Sequence, residues 1–129
     1  MIRIKRVYEA PAPKDGFRVL VDRLWPRGVS KDKAKLDEWM KDIAPSDALR
    51  QWYSHDPAKW PEFKTRYKAE LAGRGDILAR LKSLEAGHKT LTLLFAAKDA
   101  ARSNAAALAE ILSSQKKRPA AKAKTKTQE

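Results

Sequence analysis

Short runs of apolar residues predict three β-strands. Residues 2–8 begin with apolar and basic positions in alternation, which is the pattern of a half-buried strand. Residues 17–24 and 90–97 instead contain continuous apolar runs, at 19–21 and 91–95, which are typical of strands with both faces covered by helices. The connection between the first two strands is too short for a crossover helix. These strands are therefore predicted either to form a hairpin or to be joined by an irregular crossover.

Apolar residues spaced three and four positions apart predict five helices. The first is predicted to begin after the N-cap Ser30 and to extend through Ile43, and the second to begin after Ser46. Asp56, which is followed by proline, has the residue types of a third helix start. The remaining two helices are predicted over residues 76–87 and 104–114.

The order of these elements indicates the fold class. Strands separated by helical segments are typical of α/β domains, in which at least some neighbouring strands are parallel. We therefore predict a small layered α/β domain with a short, partly parallel sheet of at least three strands, flanked by about five helices. Residues 1–115 are predicted to form this single domain, since their number is within the usual range for one hydrophobic core.

The amino-acid composition excludes several classes of chemistry and of cellular location. The 129 residues include no cysteine, which excludes disulfides, thiolate metal sites and thiol nucleophiles. The two histidines have no clustered acids beside them, so no metal site is predicted, and the sequence indicates no particular cofactor. No apolar run approaches the length of a membrane span, and no apolar signal segment follows the basic N-terminus. We therefore expect a cytoplasmic protein without a membrane partner.

Positive charge is concentrated towards the C-terminus. The chain contains 28 Lys and Arg residues against 16 Asp and Glu residues, which gives a net charge of +12. Residues 116–129 contribute six cations and one acid and contain no large apolar residue, so they are predicted to be a disordered basic tail. This tail either tethers the protein to nucleic acid without reading its sequence or is a solvated extension.

Charged residues follow two of the predicted strands at the point where each strand ends. Asp22 and Arg23 follow the second strand, and Lys98 and Asp99 follow the third. If these two strands are parallel neighbours, their charged residues meet at the carboxyl edge of the sheet, where open α/β sheets bind ligands. The last helix, which begins near Asn104, would present unpaired amide groups to the same edge.

This edge is predicted to bind an anion. The turn Trp25–Gly28 can present Arg27 in a fixed direction, because proline restricts one backbone angle and glycine permits a positive one. Arg23, Arg27 and Lys98, with the helix start, would hold a phosphate or carboxylate group. Trp25 either borders this site or covers the core. The candidate ligand-binding residues are Arg23, Trp25, Arg27, Lys98 and Asn104.

Catalysis at this edge would require a group that moves a proton. Asp22, Asp99 or His55 would fill that role, because carboxylates act as bases and histidine titrates near neutral pH. Each has a structural alternative: the two aspartates pair with neighbouring cations, and His55 belongs to the turn capped by Asp56. The sequence leaves open whether the protein is an enzyme acting on a small anionic metabolite.

Nucleic-acid binding is the alternative function class. The basic surface and the basic tail would bind phosphates without sequence specificity. Aromatic side chains can serve as stacking platforms for bases in such proteins. Here, however, they occur at core spacing on the predicted helix faces, so core packing is the preferred interpretation of Trp39, Trp52, Tyr53, Trp60, Phe63 and Tyr67.

Three segments of the chain resemble a known family. The strings VDRLWPRGVSKDKAKLDEWMKDIAPS, HDPAKWPEFKTRYKAEL and TLLFAAKDAARSNA are similar to the YeaO-like branch of the domain-of-unknown-function-488 (DUF488) family of small bacterial proteins. The resemblance covers roughly residues 1–113 and implies an α/β domain. It also implies a role for the residues at the family's motif positions: Asp22, Arg23, Trp25, Arg27, His55, Asp56, Lys98, Asp99 and Asn104.

The chain departs from relatives in this family at two places. Other branches have a cysteine late in the third strand and a Cys-His-Arg sequence at the start of the last helix, where this chain has Phe95 and Ser103-Asn104-Ala105. The resemblance therefore implies no thiol or metal mechanism. Within its own branch a His-Asn pair is usual, where this chain has Arg102-Ser103.

Overall fold

The computed structural model describes residues 1–117, which contain one four-stranded sheet with all neighbouring strands parallel. The strands are β1 (Ile2–Arg6), β2 (Phe17–Leu20), β3 (Glu38–Trp39) and β4 (Leu91–Phe95). Their spatial order is β1-β4-β2-β3, so the last strand of the chain lies between the first two. This arrangement confirms the predicted α/β fold class.

Five α-helices accompany the sheet in residues 1–117. Ser46 caps the second as predicted, because its Oγ accepts a hydrogen bond from the Leu49 N–H at 3.1 Å. Asp56 caps a single 3₁₀ turn, Pro57–Lys59, that leads directly into the third helix. The helices are α1 (Lys31–Ala34), α2 (Asp47–Tyr53), α3 (Trp60–Leu71), α4 (Gly75–His88) and α5 (Asn104–Lys117).

The first predicted helix is wrong beyond its first turn. Ser30 caps α1 as expected, but the helix ends at Ala34, and its C-cap Lys35 has a left-handed backbone with a φ of 48°. The chain then runs beside β2, where the Asp37 N–H donates to the Arg18 carbonyl and the Met40 N–H donates to the Leu20 carbonyl. This segment therefore pairs with the free edge of β2, although its apolar residues have helical spacing. The spacing alone gives no information about that edge.

An irregular crossover joins β1 to β2, since β4 lies between them and a hairpin is excluded. Asp15, which is fully buried, holds this crossover. Its carboxylate accepts hydrogen bonds from the Ala12 N–H at 2.9 Å, from Lys5 at 3.0 Å and from Arg18 at 2.5 Å. Burial disfavours the charged form of Asp15, but these donors outweigh burial and lower its pKa below the ordinary value.

Both faces of the sheet are covered. Helices α2 to α5 pack against one face, where Val19 and Leu93 are fully buried. Residues 22–39 cover the other face, where Leu20 and Leu94 are fully buried. The aromatic residues assigned to the core from their spacing pack in these two clusters, three of them buried and three half-buried: Tyr53, Phe63 and Tyr67, and Trp39, Trp52 and Trp60.

Helix α5 continues to Lys117, two residues beyond the predicted domain boundary. The rest of the predicted basic tail, residues 118–129, lies outside the described residues, and its disorder stays a prediction. Among the helices of residues 1–117, none has the length and hydrophobicity needed to cross a membrane.

Candidate functional site

The carboxyl ends of β2 and β4 meet, as the sequence predicts for parallel neighbours. The Val21 N–H donates to the Leu94 carbonyl at 3.1 Å, which extends the pairing one residue beyond β2. One residue later, the Ala96 N–H donates to the Asp22 carboxylate at 2.9 Å. The segments that follow the two strands therefore begin side by side at this edge, where α/β sheets place ligand sites.

Asp22 joins three elements at the carboxyl edge. Besides accepting its bond from Ala96 after β4, the half-buried carboxylate interacts with the Asn104 side chain at the start of α5, which acts to lower its pKa. Asn104 also donates to the Val21 carbonyl at 3.0 Å. Burial raises the pKa of Asp22, although the Ala96 N–H, the Asn104 amide and the nearby His55 oppose the shift. A raised pKa at such an edge is typical of functional carboxyl groups.

His55 interacts electrostatically with Asp22, which brings two of the three predicted proton-transfer residues into one region. Ser54 and His55 both have positive φ, 46° and 57°, so the exposed histidine follows a sharp change in chain direction after α2. Left-handed backbone at non-glycine residues costs roughly 1–3 kcal/mol each and is concentrated at functional sites. Asp56 accepts from the Ala58 N–H at 3.0 Å, so it has the structural role predicted for it.

Asp99 forms an exposed ion pair with Arg102 at 3.1 Å, which matches the structural alternative for this residue. The backbone of Arg102 is held by Tyr53, whose hydroxyl donates to its carbonyl at 2.9 Å. Burial raises the pKa of Tyr53, and the charge of Asp99 adds to the increase. The sequence does not reveal that Tyr53 contacts this region, because its helical spacing indicates only a core residue.

Ser103 defines the start of α5 at this edge. It is 2% exposed, and its Oγ accepts from the Ala106 N–H at 3.1 Å, as an N-cap does. The start of the last helix was predicted here, but no individual role was predicted for Ser103. A serine directly before a helical apolar pattern is the signal that identifies this cap.

Two predicted ligand-binding residues are engaged with other parts of the fold. The Arg23 guanidinium lies 3.4 Å from the Pro45 carbonyl oxygen and 3.7 Å from an Asp47 carboxylate oxygen. The Trp25 indole N–H donates to the Val29 carbonyl at 2.6 Å, and its ring packs edge-to-face on Trp39. The contacts of Trp25 match its alternative role as a cover over the core.

Arg27 and Lys98 are the exposed cations at the carboxyl edge that the sequence predicts for ligand binding. The Arg27 carbonyl accepts from the Tyr8 hydroxyl at 3.0 Å, which fixes this part of the chain just beyond the end of β1. Lys98 follows Ala96, the residue bonded to Asp22, by two positions. Within residues 1–117, neither cationic group is paired with an acidic side chain.

Metal-ligating side chains are not grouped in the described part of the chain. In residues 1–117, no three His, Asp or Glu side chains lie close enough together to hold a metal ion. The polar groups at the carboxyl edge include one half-buried carboxyl group, one amide side chain, one imidazole and two exposed cations.

Within residues 1–117, an all-parallel four-stranded sheet accompanied by five α-helices defines a small α/β domain. The chain matches, over residues 1–128, the family described as the inactive DUF488-N3 subclade, DUF488-N3i, and it belongs to that family.

Two relatives illustrate the similarity. The chain is 42% identical to the uncharacterized protein YeaO of Escherichia coli over 113 residues, which is 88% of this chain and 97% of YeaO. It is 47% identical to the uncharacterized protein Rv3073c of Mycobacterium tuberculosis over 111 residues, which is 86% of this chain and 92% of that protein. The predicted YeaO-like membership of the DUF488 family is thereby confirmed. No solved structure matches the chain.

Proposed function

We propose that the carboxyl edge of the sheet binds a small ligand that carries a phosphate or carboxylate group. The observation that carries this proposal is the presence of two exposed cations, Arg27 and Lys98, beyond the ends of adjacent parallel strands, without acidic partners in residues 1–117. Both can pair with an anion without first breaking an ion pair within the described part of the chain. The anionic group of the ligand is held between them.

The start of α5 adds to the attraction for an anion. This 14-residue helix begins at Asn104, at the same edge, and the positive end of a helix dipole favours negative charge. The Ala106 N–H already donates a hydrogen bond to the Ser103 hydroxyl. The helix therefore attracts an anion mainly through its dipole and through the amide groups that precede Ala106. Asp22 acts as a positioning residue, because it holds the backbone after β4 in place, while the Val21 carbonyl holds the Asn104 side chain.

The family description supports binding without catalysis. The chain belongs to a subclade described as inactive. Two of the three candidate proton-transfer groups also have structural roles: Asp99 pairs with Arg102, and Asp22 accepts a hydrogen bond from the Ala96 N–H. His55 is the remaining exposed group, and in this proposal it contacts the ligand beside Asp22 without transferring a proton. The ligand is thus a small anionic metabolite that is bound and released unchanged.

A thermal-shift screen of the full chain against phosphorylated and carboxylated metabolites tests this proposal. A ligand at about 100 times its Kd stabilises the folded state by about 2.7 kcal/mol, which raises the unfolding midpoint by several degrees. Arg27→Gln and Lys98→Gln should reduce the shift, whereas Lys31→Gln, which removes one exposed charge from α1, should preserve it. A shift of equal size in all three variants would contradict the proposal, as would a full panel that causes no shift.

Nonspecific nucleic-acid binding is the second candidate function. The net charge of +12 and the basic tail favour it, and so does a separate lysine-lined cleft on the helical face of the domain. This function does not depend on the carboxyl edge, and the two can be tested independently.

A further inference from the structure

Tyr8 exposes an aromatic ring at the carboxyl edge. It lies two residues beyond the end of β1 and is 48% exposed, although its hydroxyl donates a hydrogen bond to the Arg27 carbonyl at 3.0 Å. Leu24, which is 64% exposed, follows β2 at the same edge. Apart from Met1, the exposed large apolar side chains of residues 1–117 therefore occur where strands end at this edge. Ligand sites combine such apolar side chains with a small number of polar groups.

A turn after β1 fixes the position of the Tyr8 ring. The Glu9 N–H donates to the Arg6 carbonyl at 3.0 Å, and the Glu9 carboxylate accepts from the Arg6 N–H at 3.2 Å. The Arg6 guanidinium lies over the ring, 4.9 Å from its centroid. Because its hydroxyl is bonded as well, the ring is oriented before any ligand binds, which lowers the entropy cost of binding.

The same contacts connect the ring to both exposed cations of the carboxyl edge. The Arg6 guanidinium, which lies over the ring, donates to the Ala97 carbonyl at 3.0 Å. Ala97 directly precedes Lys98. The hydroxyl of Tyr8 bonds directly to the backbone of Arg27. A ligand that these two cations hold therefore has the Tyr8 ring beside its anionic group.

The distribution of charge favours an uncharged group on the ring. Glu9, which is exposed, directly follows Tyr8 in the chain and brings a negative charge close to it. This carboxylate repels a second anionic group at Tyr8, whereas Arg27 and Lys98 attract one. The ligand that matches has an anionic part and a separate uncharged part. A planar ring suits the uncharged part, because aromatic pairs are favoured beyond the apolar area that they bury.

We infer that the ligand of the carboxyl edge is an aromatic anion, in which a planar ring carries the phosphate or carboxylate group. Arg27 and Lys98 bind the anionic group, and the ring of the ligand stacks on the Tyr8 ring. This inference rests on the proposed function and adds to it the class of the ligand. Tyr8 determines specificity, because it contacts the part of the ligand that an aliphatic phosphate lacks.

An NMR titration of the ¹⁵N-labelled full chain with phenyl phosphate, cyclohexyl phosphate and ethyl phosphate tests this inference. We expect phenyl phosphate to bind about tenfold more tightly than ethyl phosphate and about fivefold more tightly than cyclohexyl phosphate, since stacking adds to the burial of apolar area. Tyr8→Ala should reduce the phenyl-to-ethyl ratio to about twofold or less and change the Kd of ethyl phosphate by no more than about twofold. Tyr8→Phe is the matched control, because it retains the ring and should retain the ratio.

The outcomes distinguish this inference from the proposed function. If ethyl phosphate binds and Arg27→Gln weakens it, but phenyl phosphate binds no more tightly, the proposed function is supported and the aromatic ligand is wrong. Equal binding of the cyclohexyl and phenyl compounds would assign the preference to apolar size. An unchanged ratio in Tyr8→Ala would exclude Tyr8 as its source, and either result contradicts the inference. Absence of binding by all three compounds would overturn the inference and the proposed function together.

Discussion

Replacing Asp15 by asparagine should strongly destabilise the domain. The substitution keeps the size of the side chain but removes the negative charge that Lys5 and Arg18 share. It also replaces one acceptor oxygen with an amide NH₂ group, which is a donor. All four hydrogen bonds of the Asp15 carboxylate come from donors, so the new NH₂ group would face another donor. Two cations would then remain in the crossover, with their side chains only 14% and 6% exposed and without a counter-charge.

Removing one partner of a buried ion pair costs about 3–5 kcal/mol. Since domains of this size are stable by only about 5–15 kcal/mol, Asp15→Asn should shift the urea midpoint to much lower concentration or unfold the protein. The pKa of native Asp15 is lowered, so its contribution is fully present above the ordinary aspartate pKa and is lost as the pH falls through the lower native value. The difference between wild type and variant should therefore shrink at acidic pH.

The matched control is Asp47→Asn. Asp47 also pairs with arginine, but its side chain is 62% exposed, so its loss should cost no more than about 1 kcal/mol. Urea unfolding followed by circular dichroism measures both variants. If Asp15→Asn cost as little as Asp47→Asn at neutral pH, the account of a charge network that holds the β1–β2 crossover would be wrong.

Three further predictions concern a glycine in the backbone, a helix cap and a titrating carboxyl group. Gly16→Ala should lower the free energy of unfolding by about 3 kcal/mol or more in urea titrations, because its φ is 64° and an added Cβ would lie 2.2 Å from the Thr90 carbonyl oxygen. Gly28 has a φ of 78° but no atom within 4 Å of an added Cβ, so Gly28→Ala should cost only about 1–2 kcal/mol. Ser46→Ala should cost about 1–2 kcal/mol in the same assay, because it removes the cap of α2 and the partner of Glu70; no change in midpoint would contradict this. Because burial raises the pKa of Asp22, the contribution of this residue to native stability falls as the pH rises through the interval above the ordinary aspartate pKa, and Asp22→Asn removes that pH dependence. The stability of that variant relative to wild type should increase across this interval in urea titrations, and a flat or falling difference would refute the reasoning.

Local sequence signals predicted most of the fold. The apolar run at 91–95 defines a buried central strand, and capping residues such as Ser46 and Asp56 mark where the next elements begin. These features depend on residues close together in the chain, which is why they can be recognised without the structure.

Features that depend on distant residues were not predictable. Residues 36–43 have helical spacing, yet the free edge of β2 draws them into strand pairing and a 3₁₀ turn. The placement of β4 between β1 and β2 depends on packing across the whole chain, and the buried bonds of Asp15 are visible only once that order is known.

The candidate site itself stays a prediction, and only its general location could be proposed from the sequence. Its location at the carboxyl edge follows from two strands that each end in charged residues, and the structure brings Asp22, His55 and Asn104 together there. The direction of individual side chains could not be predicted: Arg23 faces the Pro45 carbonyl oxygen, and Trp25 packs on Trp39. Adjacent residues of a strand point to opposite faces, so neighbours in sequence need not share a site.

An NMR titration of the uniformly ¹⁵N-labelled full chain tests the central claim, anion binding at the carboxyl edge, most directly. The probe is the phosphorylated or carboxylated metabolite that gives the largest thermal shift, with inorganic phosphate as a second probe. Binding at this edge predicts saturable shifts of amide signals in residues 22–28 and 96–104, which disappear in Arg27→Gln. Shifts confined to α3 and the later turns of α5, or no saturable shift with either probe, would contradict it.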